Sequence, residues 1–134
     1  MQPNVLCVDD ERDVTDLLCF LLARAGYEVR TAGSGRDALA EVRTRRPDLL
    51  VLDLMLPDLD GFSVCEILRR EIDTASIPVL MLTAWATPDA RSHGLKLGAR
   101  GYMTKPFRPQ ELVDRVRELL ALNGSQTIQT PEAV

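Results

Sequence analysis

The run Asp48-Leu49-Leu50-Val51-Leu52-Asp53-Leu54-Met55-Leu56-Pro57-Asp58 constrains this chain more than any other stretch. It is a short apolar run interrupted by one carboxylate and stopped by a proline. A run of that length between turn residues reads as a strand buried on both faces, as found inside a parallel sheet. Asp53 then falls at the C-terminal end of that strand. An ionised carboxylate at the edge of an apolar core is costly unless a cation or hydrogen-bond donors meet it. Ligands of open α/β sheets bind at the same C-terminal edge. What keeps Asp53 charged, and what it does there, is the question the other residues must answer.

The rest of the chain reads as the sheet around that strand. Val5–Val8 is apolar and partly β-branched, and it ends at Asp9-Asp10-Glu11. Val14, Leu17, Leu18, Leu21, Leu22 and Ala25 follow at helical spacing, with Gly26 as the C-cap. Tyr27–Thr31 alternates as a second strand, and Ser34 is placed to cap a helix carrying Ala38, Leu39 and Val42 that ends before Pro47. Beyond the loop Leu56–Gly61 comes a helix with Val64, Ile67 and Leu68 inward and Arg69, Arg70 and Glu71 outward. Ile77–Leu82 is a fourth strand that ends in Thr83-Ala84-Trp85. Thr87 and Pro88 read as the cap and first position of a helix weakened by Gly94. Ala99–Met103 is a short fifth strand, followed by Thr104-Lys105-Pro106-Phe107. Pro109 opens a last helix with Leu112, Val113, Val116, Leu119 and Leu120 on its apolar side. From Asn123 onward the chain is polar and is expected to be a loose tail or the start of a linker.

Strands alternating with helices imply an α/β fold: a parallel sheet with right-handed crossovers and helices on both faces. Five such units fit the flavodoxin-like strand order 2-1-3-4-5. In that order strands 1, 3, 4 and 5 lie side by side. Their C-terminal ends then carry Asp9 and Asp10, Asp53, Thr83 and Lys105 in succession.

Composition narrows the function classes. The 134 residues suit one domain with a single core, and at a net charge of -4 no basic excess suggests that the chain grips nucleic acid or an anionic membrane by itself. The start lacks the basic and apolar regions of a secretion signal, and no apolar run approaches the ~18 residues of a membrane helix. Cys7, Cys19 and Cys65 are odd in number, widely spaced and set in apolar surroundings. They read as core residues of a reducing, cytoplasmic compartment rather than a disulfide frame or zinc site. His93 is the only histidine, so a His-based metal site is not indicated; a surface helix position is the expectation.

Three carboxylates on adjacent strand ends repel one another and call for a cation. Hard oxygen ligands with room for water suit Mg²⁺, which binds through one or two carboxylates together with a phosphate. A lysine ammonium and a threonine hydroxyl nearby suit phosphoryl oxygens. A carboxylate can itself be the nucleophile and become an aspartyl phosphate. The chemistry that follows is in-line phosphoryl transfer, with metal and lysine countering the charge on the equatorial oxygens.

With these residues in view, the sequence resembles the receiver domain of bacterial two-component response regulators over about residues 4 to 122. The matching segments are Val8-Asp9-Asp10-Glu11, Leu52-Asp53-Leu54-Met55-Leu56-Pro57, Asp60-Gly61, Leu82-Thr83-Ala84 and Lys105-Pro106-Phe107. Each is weak alone; together, in this order and at these spacings, they are specific. Receivers are themselves among the examples from which the flavodoxin-like order is known, so that order is borrowed from the fold class.

The resemblance implies a receiver spanning residues 1–122 and a polar tail over 123–134. It implies that Asp53 accepts phosphate from a sensor histidine kinase or phosphotransfer protein. Asp10, Asp53 and the backbone carbonyl of Met55 would bind Mg²⁺, or Mn²⁺ in its place, with Asp9 acting through water. Lys105, with Thr83 and Ala84, would hold the phosphoryl group, and the Lys105–Pro106 bond would be cis. Thr83 would swing toward the phosphoryl oxygens and Tyr102 would turn inward behind it. The last two helices and the strand between them would then present a changed surface to an output domain or partner protein. No direct nucleic-acid or membrane binding is implied for this segment.

Several residues depart from the pattern. Receivers that dimerise through that surface commonly carry acidic residues before the switch aromatic; Arg100 and Gly101 stand here, which puts that salt-bridged dimer in doubt and leaves dimerisation an open expectation. Trp85 is bulky for a position flanking the attacking water and would shield an aspartyl phosphate, whereas the small Ala84 leaves the way to Asp53 open. Other classes fit less well. Aspartate-nucleophile phosphatases of the haloacid dehalogenase type place a second acid two residues after the nucleophile, where Met55 stands, so the chain is not expected to be an enzyme beyond its own phosphorylation and dephosphorylation. A nucleotide- or flavin-binding module wants a glycine-rich loop after the first strand, where Asp9-Asp10-Glu11 would repel phosphate. A docking module that is never phosphorylated is the remaining alternative.

Overall fold

The computed structural model describes residues 2–124. Strands β1 (Asn4–Val8), β2 (Glu28–Ala32), β3 (Leu49–Leu52), β4 (Val79–Thr83) and β5 (Gly101–Thr104) alternate with helices α1 (Arg12–Arg24), α2 (Gly35–Thr44), α3 (Gly61–Arg70), α4 (Pro88–Lys96) and α5 (Pro109–Gly124). All neighbouring strands pair in parallel, in the order β2-β1-β3-β4-β5. This is the expected flavodoxin-like α/β fold.

The period of two along each strand sorts the core into two layers. Leu6, Val8, Leu50, Leu52, Val79, Met81 and Tyr102 face α2 and α3, meeting Ala38, Leu39, Val42, Val64, Cys65 and Leu68. Val5, Cys7, Leu49, Val51, Leu80, Leu82 and Met103 face the other way, onto Leu18 and Leu22 of α1 and Leu112, Val113, Val116 and Leu119 of α5. The central strand β3 is buried on both faces along its whole length. That is why its sequence is an unbroken apolar run.

Local chemistry fixes the helix ends. Gly26, at φ +100°, closes α1: its N–H donates to Ala23 O at 3.0 Å, and the Tyr27 N–H donates to Leu22 O at 3.1 Å. This pairing of two backward hydrogen bonds around a left-handed glycine satisfies carbonyls the helix leaves orphaned. Gly98, at φ +93°, closes α4 in the same way, with Gly98 N to Leu95 O at 3.0 Å and Ala99 N to Gly94 O at 3.1 Å. Ser34 caps α2 by accepting from Asp37 N, and Thr87 caps α4 by accepting from Ala90 N at 3.2 Å, with Pro88 first in the helix. Thr87→Ala is expected to cost about 1 kcal/mol. A lowered thermal midpoint checks this; an unchanged midpoint would show that the loop before α4, not the cap, holds its start.

Two expectations need correcting, and a third gains a reason. Arg69 does not point outward: its guanidinium donates to the carbonyls of Leu97, Ala75, Ile77 and Gly98, stitching α3 to the loops on either side of β4 and α4. A long side chain at the end of a helix can reach orphaned carbonyls, and helical periodicity does not reveal that. Helix α5 runs through Gly124, past the boundary expected at 122; asparagine and glycine weaken a last turn without preventing it. Gly94 is more than a weak point, because a Cβ there would lie 2.6 Å from Met81 Sδ and 3.4 Å from the Tyr102 ring. Its absence lets α4 lie close against β4 and β5. The expected loose tail beyond residue 124 falls outside the described residues. Among them, no helix is long and apolar enough to cross a membrane.

Candidate functional site

The last rungs of the sheet hold the predicted residues side by side. Val8 is level with Leu52 in the β1–β3 register, so Asp9 and Asp53 leave the sheet together. The ladder continues one step past each strand: Asp9 N donates to Ala32 O at 3.1 Å, Asp53 N to Val8 O at 3.0 Å, and Lys105 N to Thr83 O at 2.9 Å. The backbone of each residue is therefore fixed before its side chain does anything. Four strand ends converge because the strand order makes them neighbours.

The side chains meet in one cluster. Lys105 Nζ lies 2.6 Å from Asp9 Oδ2 and 3.1 Å from Asp53 Oδ2, with Glu11 Oε1 farther off at 3.8 Å. Asp9 and Asp53 are buried, while Asp10 is exposed at the rim. Carboxylate oxygens of Asp9, Asp10 and Asp53 all come within 4.8 Å of one another. One ammonium faces three carboxylates, which leaves a surplus of negative charge. A hard divalent cation fits this donor set, since all the ligands are oxygens and the rim is open to water.

Burial pushes the Asp9 carboxyl above its ordinary value, against the hydrogen bonds it receives from Lys105 and from the Glu11 N–H. Burial alone would lower Lys105, but its bonds to Asp9 and Asp53 outweigh that and hold it above the usual lysine range. Lys105 thus stays charged and ties the two buried acids together. The Lys105–Pro106 peptide is cis.

The neighbouring residues line the approach. Thr83 is fully buried, and its Oγ1 accepts from Trp85 N at 3.2 Å. Tyr102 is also buried and donates from its hydroxyl to the Trp85 carbonyl oxygen at 2.5 Å. The loop from Ala84 to Trp85 is therefore held from two sides. Asp10, Met55, Ala84 and Trp85 line one open cleft, with the Met55 side chain largely exposed. Met55 N donates to Asp53 Oδ1 at 3.1 Å, which turns the chain directly after the strand.

Sequence reasoning missed three features of this region. Phe62, at the start of α3, packs edge-on against Trp85 at 5.6 Å and against His93 at 4.5 Å. His93 is exposed, as expected, but it belongs to an aromatic cluster that ties α4 to α3. Asp58 accepts from the backbone N–H of Gly35 at 2.9 Å and of Arg36 at 3.0 Å. No periodic signal marks any of these pairs, because each joins separate elements.

A parallel sheet in the order β2-β1-β3-β4-β5 with an acid–lysine cleft at its C-terminal edge defines a class of flavodoxin-like α/β domains. The family model of the response regulator receiver domain matches residues 5–117, and the chain belongs to that family. Among curated proteins, it is 48% identical over 120 residues to the alkaline phosphatase synthesis transcriptional regulatory protein PhoP of Bacillus subtilis, covering 90% of this chain and 49% of that one. It is 47% identical over 118 residues to the DNA-binding dual master transcriptional regulator RpaA of Synechocystis, covering 88% and 49%. The chain thus spans about half the length of the curated relatives it matches. Among solved structures it is similar to the chemotaxis protein CheY4 of Vibrio cholerae, with a TM-score of 0.84 and 34% identity over 89% of this chain and 99% of that one. It is similar also to the receiver domain of the Francisella response regulator 1452, with a TM-score of 0.83, 34% identity and coverage of 89% and 97%.

Proposed function

We propose that this receiver is a phosphorylation-dependent switch whose phosphoacceptor is Asp53. The observation that carries this reading is the buried Asp9–Lys105–Asp53 cluster at the open end of the sheet, with Asp10 at its rim. An Asp53 carboxylate oxygen attacks the phosphorus of a phosphohistidine on a sensor kinase or phosphotransfer protein. The new O–P bond forms as the P–N bond breaks, and the imidazole leaves. Lys105 faces the transferred group's oxygens and shifts from bridging two carboxylates to countering phosphoryl charge. Asp10, Asp53 and the Met55 carbonyl would hold Mg²⁺ directly and Asp9 through water; the ion would supply further charge neutralisation.

The added charge biases the neighbouring loop. Thr83 Oγ1 holds the Trp85 N–H in the present arrangement, and a phosphoryl group on Asp53 offers that hydroxyl a stronger acceptor. Its departure frees the Trp85 peptide, whose carbonyl receives the Tyr102 hydroxyl. Thr83, Tyr102 and the surface of α4, β5 and α5 would then move together as the output. The half-length match to transcriptional regulators supports a receiver joined by the segment after α5 to an output domain, and the reading places it in the cytoplasm. The residues up to the end of α5 at Gly124 would carry the receiver's work, and those after it would open the linker.

Trp85 lines the approach to the cleft and should slow hydrolysis by crowding the path of water. Trp85→Ala is expected to shorten the lifetime of the phosphorylated form; an unchanged dephosphorylation rate would rule the shielding role out. The function itself is tested by intact mass after incubation with acetyl phosphate. A single phosphoryl adduct that requires Mg²⁺ supports the switch. No adduct from acetyl phosphate or from a cognate kinase, in a folded protein that binds Mg²⁺, would favour a receiver that serves only for docking.

A further inference from the structure

The loop between β3 and α3 must present a backbone carbonyl, that of Met55, to a metal ion. A carbonyl on a loop is only as well placed as the loop is stiff. Mg²⁺ is strict in this respect, demanding near-octahedral geometry with oxygens at about 2.0–2.1 Å. How the loop is held therefore bears on how well the ion binds.

One end of the loop is clamped by packing. Gly61 N donates to Leu54 O at 3.0 Å, and a Cβ on Gly61 would lie 2.5 Å from the Asp53 carbonyl oxygen and 2.8 Å from Leu54 Cα. The far side is held by Asp58. Both of its carboxylate oxygens accept, one from Gly35 N at 2.9 Å and the other from Arg36 N at 3.0 Å, at the very start of α2. Gly35 lets the two segments touch, since a Cβ there would lie 2.8 Å from Leu59 Cβ. The two N–H groups are among those a helix leaves without internal partners, and the helix dipole favours a carboxylate there. Those bonds draw the Asp58 carboxyl down to about 2, so it stays an acceptor at any physiological pH. Asp58 thus fastens the loop to a helix that is itself anchored in the core through Ala38, Leu39 and Val42.

We propose that Asp58 is a positioning residue that sets the Mg²⁺ affinity of the cleft by hooking the Met55 loop onto the first turn of α2. It touches neither the ion nor the phosphoryl group. The proposal rests on the reading of Met55 O, Asp10 and Asp53 as metal ligands.

The test is a calorimetric titration of the full chain with MgCl₂, comparing wild type with Asp58→Ala, Asp58→Asn, Ser34→Ala and Asp10→Ala. Ser34 caps the same helix by accepting from Asp37 N but does not reach the loop, so its loss destabilises α2 without unhooking Met55. Support for a metal supporting shell commonly amounts to tenfold or more in affinity. Asp58→Ala is accordingly expected to raise the Mg²⁺ dissociation constant about tenfold, Asp58→Asn by less because one oxygen still accepts, and Ser34→Ala hardly at all. Wild-type affinity in Asp58→Ala, or an equal loss in Ser34→Ala, would overturn the proposal while leaving the metal site standing. Binding that Asp10→Ala does not weaken, or no binding by wild type, would overturn the metal reading and this inference with it. Where Asp58→Ala does not fold, Asp58→Asn set against Ser34→Ala decides the same question.

Discussion

Asp53→Asn is expected to abolish the Mg²⁺-dependent adduct formed with acetyl phosphate, with the protein folded and its thermal midpoint no lower than that of wild type. An amide oxygen is a far poorer nucleophile than a carboxylate and carries no charge to attract the ion, so the effect on labelling is all-or-none. The stability half of the expectation comes from the cluster. Asp53 is the longer-range of the two buried partners of Lys105, at 3.1 Å against 2.6 Å for Asp9, so the shorter pair survives the substitution. The introduced amide still offers an oxygen to the ammonium, and the repulsion between two buried carboxylates disappears; relief of about 1 kcal/mol is reasonable for such a pair. Mass spectrometry and thermal melting on the same samples check both halves. Residual labelling of the variant at wild-type stoichiometry would place the acceptor elsewhere, with the exposed Asp10 first to be examined.

The fold was legible because each element wrote its burial into its own residues. Leu49–Leu52 is buried on both sides and therefore wholly apolar. The four strand-end positions Asp9, Asp53, Thr83 and Lys105 could be read because a polar residue ending an apolar run announces where a sheet stops. Their convergence needed the strand order, and that came from the fold class. The supporting structure was not legible. Arg69 sits where an amphipathic helix ordinarily shows charge to water, and only the arrival of the Leu97 and Gly98 carbonyls makes it a clasp. Asp58 lies 23 positions from Gly35, and Phe62 meets Trp85 and His93 across two element boundaries. Such contacts depend on how helices dock, and neither the period of two nor that of 3.6 encodes docking. The acids and the lysine of the cleft are local facts of strand ends, and the stiffness around them is a tertiary fact.

Lys105→Ala is expected to leave a folded protein that is less stable by about 3 kcal/mol at neutral pH, at the lower end for breaking a buried ion pair because Asp9 keeps the Glu11 N–H and the rim admits water. Two buried carboxylates would lose their shared counter-charge. The sign of the pH dependence follows from Asp9, whose carboxyl burial already raises in wild type. A raised acid holds its proton in the native state at pH values where the unfolded chain, near 4, has released it, so native stability falls as pH climbs through that window. Removing the ammonium takes away the hydrogen bond that opposes this shift. The stability deficit relative to wild type should therefore widen between pH 5 and pH 8 in the presence of chelator. Added Mg²⁺ should narrow it, because a divalent ion among Asp9, Asp10 and Asp53 supplies positive charge that the lysine no longer brings. On the proposed reading phosphorylation should fail to recover to the same degree, since a metal ion would not reproduce the N–H donors that Lys105 would offer a phosphoryl group. Denaturant melts at the two pH values, with and without Mg²⁺, separate these effects. A deficit that is constant with pH would mean that Lys105 acts through packing of its stem rather than through its charge on Asp9.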